Sequence, residues 1–247
     1  MVFGNIIIDI KNMDESLIAT KYNASSIMLY DIIPEEIINM KISGPQFQLK
    51  IINQIQTSIS IPLIVRIRIG NIDELKLLTK LGINNFYEKN IIPNPDSIQF
   101  NKNYYSKINF INSSSSLNDI MQHYSNGTSS IKITGNNIND TISTIQNIYN
   151  DIELLRNNKN NYAYIKHKSS KYNTAFKIIN KMILDNKLPI PIYLSNISSV
   201  KDLKKILALK HLFKLIDGII IENDIFNLKN VDNELDRIIT MYRKALV

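Results

Sequence analysis

Eight short apolar runs interleaved with eight amphipathic stretches constrain this chain more than any other feature of its sequence. The runs cover residues 6–10, 26–31, 62–69, 85–88, 108–112, 130–134, 190–194 and 218–221, and each ends in, or is followed at once by, a polar residue or glycine. The stretches cover residues 13–21, 46–57, 72–81, 117–125, 138–155, 172–186, 200–209 and 232–245, with apolar residues at three- and four-residue spacing, as in Leu203, Ile206, Leu207 and Leu209. Near-continuous apolar strands read as buried on both faces, which requires a parallel sheet with helices packed outside it. Eight such units in 247 residues predict a single-domain α/β chain, a (β/α)8 TIM barrel spanning residues 1–247. The polar insert 156–161 reads as an exposed loop within it.

Composition narrows the chemistry. No apolar run approaches the roughly 20 residues needed to cross a bilayer, and the start lacks a secretory pattern, so a soluble, cytoplasmic protein is expected. Without cysteine there are no disulfides, thiolate nucleophiles or Cys-based metal sites. The net charge of +7 is dispersed, and Lys201, Lys204 and Lys205 read as the solvated face of a helix, so no nucleic-acid partner is expected. His123, His167 and His211 have no metal-ligand spacing and read as surface residues; no metal or cofactor is expected.

In barrels of this kind the active site lies at the carboxyl ends of the strands. The polar residues falling there are Asp9, Asp31, Arg66, Arg68, Glu88, Asn112, Thr134, Asn196, Glu222 and Asn223. Lysine is scarce among them: Lys132 precedes the end of the sixth run by two residues and Lys89 lies just beyond the fourth. Imine catalysis needs an amine that can lose its proton, whereas arginine stays charged above pH ~12, so a mouth without such an amine disfavours it. Asp9 is the best candidate general base, or else a helix cap or ion-pair partner of Arg66 or Arg68. Arg66 and Arg68 fall on one side at period two and could clamp an anion or form internal ion pairs. Two acids, Glu222 and Asp224, stand where barrels commonly hold phosphate. A carboxylate about 4 Å from a phosphate oxygen repels it by ~1 kcal/mol in water and ~4 at partly buried dielectric, so that pocket is expected to exclude anions.

Taken in order, the strand-end segments resemble the synthase subunit of the glutamine-dependent pyridoxal 5'-phosphate synthase, the PdxS/SNZ family. Gly4-Asn5-Ile6-Ile7-Ile8-Asp9 resembles its first strand, Asp31-Ile32-Ile33-Pro34 its acidic residue followed by x-Ile-Pro, and residues 60–70 its Ser-Ile-Pro…Arg-Ile-Gly strand. Residues 131–140 fall where its Thr-Lys-Gly and glycine-rich loop belong, and Asp217-Gly218 with Ile225-Phe226 frames its last phosphate loop. The resemblance makes Asp9 the retained catalytic aspartate. It puts Arg66 in place of the imine-forming lysine, Thr134 in place of the second lysine, and Tyr87 in place of an acid that Glu88 beside it matches. Ile138, Asn196 and Glu222 stand at phosphate-binding glycines and Asn223 at the following serine. Arg68, Glu88, Gly135, Asn196, Glu222 and Asn223 are then degenerate substrate-binding positions. Only Met1, Val2 and Phe3 precede Gly4, where the family carries a glutaminase-docking helix, so glutaminase docking is expected to be weak or absent.

The expectation is a non-catalytic paralogue, a structural or regulatory partner in vitamin B6 biosynthesis. It would assemble as a homo-oligomer, or as a hetero-oligomer with an active synthase-subunit paralogue, with no membrane partner. The alternatives are an enzyme of altered chemistry, using Asp9 and Glu88 for proton transfer and Arg66 and Arg68 for an anionic substrate, and a polyanion binder using the lysine-rich second half.

Overall fold

The computed structural model describes residues 5–29, 44–89 and 101–246, the side chains of residues 44–48 and 89 excepted. Eight parallel strands pair in chain order and close into a barrel, with the first bonded to the last. They are β1 (Ile6–Ile10), β2 (Ser26–Leu29), β3 (Leu63–Arg68), β4 (Asn85–Lys89), β5 (Asn109–Ser114), β6 (Ser130–Ile133), β7 (Ile192–Ile197) and β8 (Gly218–Ile221). Helices α1 (Met13–Lys21), α2 (Gly44–Ser58), α3 (Ile72–Lys80) and α4 (Leu117–Ser125) precede β6. Beyond it lie α5 (Ile138–Asn157), α6 (Tyr162–Lys171), α7 (Phe176–Asp185), α8 (Val200–Leu207), α9 (Lys210–Phe213) and α10 (Val231–Ala245). Single 3-10 turns at Lys102–Tyr104 and Asn223–Asn227 lie between β4 and β5 and after β8. Among the described residues no helix is long and apolar enough to cross a membrane.

Side-chain alternation divides the strands between two cores. Ile6, Ile8 and Ile10 of β1, with Val65, Phe86, Ile131 and Ile219, face outward onto helix residues such as Leu75, Ile148, Leu203 and Ile238. Their neighbours face inward. Ile7, Met28, Ile64, Tyr87, Ile111, Tyr193 and Ile220 form a separate buried cluster that fills the barrel floor. Gly218 makes room for it: a Cβ there would stand 2.5 Å from Cε1 of the fully buried Tyr193. The chain is apolar on both strand faces because both faces are buried.

Asparagine takes over two jobs at the element ends. Its side chain caps α1, α3, α5 and α6 as Asn12, Asn71, Asn137 and Asn161, each accepting from an N–H of the first turn. It also occupies left-handed positions at Asn23, Asn173, Asn186 and Asn196. With only 7 glycines in the chain, those turns fall to the side chain that tolerates positive φ best after glycine.

The expected strand bounds shift. β5 runs on to Ser114 and β7 to Ile197, where a register shift against β8 lets polar Ser195 and Asn196 extend the strand. β4 includes Lys89. Helix α6 was not legible as a helix, because Ile165 is its one buried residue and leaves no apolar stripe. The expected residues 30 and 31 of the second run, and Ile32-Ile33-Pro34 after it, lie outside the described residues.

Candidate functional site

Above the apolar floor, the next inward positions of four strands carry charge. Asp9 stands two residues beyond Ile7, Arg66 two beyond Ile64, Lys132 two beyond Ser130, and Glu222 two beyond Ile220. Arg66 Nη2 donates to Asp9 Oδ2 at 2.8 Å, with the two side chains 3% and 0% exposed. Lys132 Nζ lies 3.9 Å from the same oxygen and 3.2 Å from Glu222 Oε1. Tyr87 is held between the cations, with the Arg66 guanidinium 5.3 Å and the Lys132 ammonium 5.4 Å from its ring centre, and its hydroxyl bonds Ser113 Oγ. Two positive and two negative groups thus satisfy one another in the barrel mouth.

That balance fixes their protonation. Burial pushes the Asp9 carboxyl up, against the charges of Lys132 and Arg66, to about 6. Burial pushes the Lys132 ammonium down, but Glu222 and Asp9 outweigh it and lift the group to about 12. Burial also works against Glu222, yet the Lys132 charge and the Asn196 N–H hold it below the usual carboxylate range. Asp9 Oδ1 is buried and has no hydrogen-bond partner among the described residues, so Asp9 is the group in this cluster suited to exchange a proton near neutral pH.

The expectation of a mouth without an amine is therefore corrected. Lys132 is not peripheral to the strand end; its amine is in the mouth, because Ile131 and Ile133 beside it face the outer core and alternation turns residue 132 inward. It is, however, locked as an ammonium. The Arg66 and Arg68 clamp is not formed either. Arg68 is the last residue of β3, and its side chain is 63% exposed and turned to Glu74 of α3. Glu88 lies on the opposite face of β4 from Tyr87, as alternation requires. There it forms a buried ion pair with Lys102 at 2.8 Å and accepts from Asn112, which accepts in turn from Thr128. Asp9, Arg66, Glu88 and Arg68 are thus not one site.

The remaining positions serve the chain's own hydrogen bonding. Asn196 Nδ2 donates to Gly135 O and to Thr141 Oγ1, both at 2.8 Å, and the Asn196 N–H donates to Glu222 Oε1 at 3.0 Å. Gly135 is tight against α5, where a Cβ would stand 2.6 Å from the Thr141 nitrogen. Asn223 Nδ2 donates to the Asp9 carbonyl at 3.3 Å and to Glu15 Oε2 at 2.6 Å. Thr134, one residue past β6, lines a cavity of about 290 Å³ with Ser113, Ser114, Asp119, Gln122 and His123. His123 is half-buried there, not a surface residue, and burial lowers its basicity, with the charge of Lys102 acting the same way. Asp31 lies outside the described residues. Among the described residues no three His, Cys, Asp or Glu side chains converge to hold a metal ion.

A closed (β/α)8 barrel with its polar groups gathered at the strand carboxyl ends has the architecture of the TIM-barrel enzymes. Thiamine phosphate pyrophosphorylase from Pyrococcus furiosus matches that architecture with a TM-score of 0.57 over 99% of this chain and 98% of its own, at 11% identity, a likeness of fold alone. The sequence model of the SOR/SNZ family matches residues 1–195, and the chain belongs to that family. Its similar relatives include the pyridoxal 5'-phosphate synthase subunit PdxS of Sulfurisphaera tokodaii, 22% identical over 76% of this chain and 60% of that protein. The PdxS subunits of Aeropyrum pernix and Clostridium acetobutylicum are each 25% identical, over 62% and 64% of this chain and 47% and 55% of their own lengths. The chain thus spans about half to three fifths of these relatives.

Proposed function

We propose that this protein is a non-catalytic member of the SOR/SNZ family that serves pyridoxal 5'-phosphate synthesis as a structural or regulatory partner, assembling with itself or with an active synthase subunit. Family membership and the PdxS relatives support the vitamin B6 assignment. One observation carries the non-catalytic part: the amine in the described barrel mouth, Lys132, is paired with two carboxylates and held at a pKa of about 12. A carbonyl condenses with a free amine, and at pH 7 that group would be deprotonated in about one molecule in 10⁵. Arg66, on the strand where the resemblance calls for an imine-forming lysine, is a guanidinium committed to Asp9. The barrel, by contrast, is intact, so a scaffold role survives the loss of the reaction.

The test is incubation of the purified protein with ribose 5-phosphate and borohydride, read by intact mass. The expected spectrum shows the unmodified chain. A reduced sugar adduct, above all one mapping to Lys132, would overturn the reading.

A further inference from the structure

A cavity of about 820 Å³ opens between α4 and α7, beside Leu188 and Pro189 of the segment that enters β7. It therefore lies at the amino ends of the strands, away from the mouth. Its α7 wall carries two adjacent rows at i, i+4 spacing, an apolar one of Ile178 and Met182 and a cationic one of Lys177 and Lys181. Asn186, left-handed at φ 50°, ends the helix and turns the chain so that Leu188 and Pro189 also line the space. Tyr124 enters it from the last turn of α4. The two helices are tied together at that end: Ser125 Oγ donates to Asn173 O at 2.7 Å and lies 2.9 Å from Thr174 Oγ1, in the turn leading into α7. The cavity is thus pre-formed, and its volume is that of sites for organic molecules, well beyond what a single ion fills.

Its charges are uneven. Lys187 is answered by Asp217, Nζ to Oδ1 at 3.1 Å. Lys177 and Lys181 are exposed and have no ion-pair partner among the described residues, and the one acid among the described lining residues is Asp185. This positive excess stands beside apolar surface, since Tyr124, Ile178 and Pro189 are only half-buried. Ammonium groups select an anion; a phenol ring and the thioether of Met182 favour an aromatic body, through ring-ring and sulfur-ring contact. Two ammonium groups over one apolar floor fit a compact anion, whereas a polymeric one needs charge spread along a surface.

We propose that this cavity is a binding site for an aromatic organic anion, its ring system against Tyr124, Ile178 and Pro189 and its acidic group at Lys177 and Lys181. The site is separate from the barrel mouth and does not rest on the non-catalytic reading of that mouth.

The test titrates the full-length protein with anilinonaphthalene sulfonate, an aromatic anion whose fluorescence rises in apolar surroundings, and with phenylnaphthylamine, its uncharged counterpart. Saturable binding of the sulfonate is expected, with a shift of the Met182 methyl resonance assigned by Met182→Leu. Lys177→Gln/Lys181→Gln is expected to weaken the sulfonate about three- to tenfold at low salt, the loss of two exposed ion pairs, and to leave the uncharged probe unchanged. Raising salt on the wild type should act in the same direction and on the same probe alone, which needs no variant. A Met182 methyl unmoved at saturating sulfonate overturns the proposal. So does sulfonate binding that ignores both salt and the double substitution, or an uncharged probe that binds as tightly as the sulfonate.

Discussion

The Asp9 and Arg66 pair should be worth far less as a pair than the loss of either member suggests. Truncating Asp9 to Leu leaves two buried cations facing Glu222; truncating Arg66 to Met leaves two carboxylates facing Lys132. Each single change strands one charge at a site where the side chains are 0% and 3% exposed, so solvent screening gives no relief. Breaking such a pair costs about 3–5 kcal/mol, or about 6–20 °C in Tm for a chain of this size. The double variant differs in kind, because Lys132 and Glu222 remain as a balanced pair. Moving the Asp9 carboxyl from 3.8 to about 6 means the ionised form is disfavoured by about 3 kcal/mol relative to water, a cost the double variant no longer carries. Its stability is therefore expected within about 1–2 kcal/mol of the wild type, or above it. Thermal melts followed by circular dichroism at pH 7 on all four proteins complete the cycle. If the double variant loses as much as the two single variants added together, the four-charge balance is refuted.

Acidity should act on the same group. Between pH ~4 and ~6 the folded chain keeps a proton on Asp9 that the unfolded chain releases, so stability should fall as pH rises through that window, by an amount that disappears in the Asp9→Leu/Arg66→Met double variant; a wild-type Tm that rises there relative to the double variant contradicts the assignment. Behind the barrel, Lys102→Met strands the buried Glu88 carboxylate and should cost about 3–5 kcal/mol. Adding Glu88→Gln should recover much of the loss in thermal melts, and no recovery would show that Lys102 acts through packing alone.

The barrel was legible because its strands are buried on both faces, and a run such as Ile6 to Ile10 has no polar alternative. Pairing of Asp9 with Arg66 was among the readings open to the sequence, since both fall at strand carboxyl ends. The opposed faces of Tyr87 and Glu88 were also within reach, by alternation alone. Arg68 was not: period two puts it beside Arg66, but its exposed side chain turns to a local acid, Glu74 of α3. Lys132 was set aside for another reason: it precedes the expected strand end at Thr134 by two residues, which alternation puts on the same face, yet only the terminal residue was taken to reach the mouth. Least visible was the Asn196 N–H. Its direction depends on a backbone angle that no pattern of side chains announces.

Because the first strand bonds the last, the hoop of hydrogen bonds has no loose hem. Among the described residues no strand edge is open for another chain to extend, since each of the eight strands already has neighbours on both flanks. On the described residues, contacts that join copies of this protein to each other or to a relative fall to helices and connecting segments, and can diverge there without disturbing the hoop.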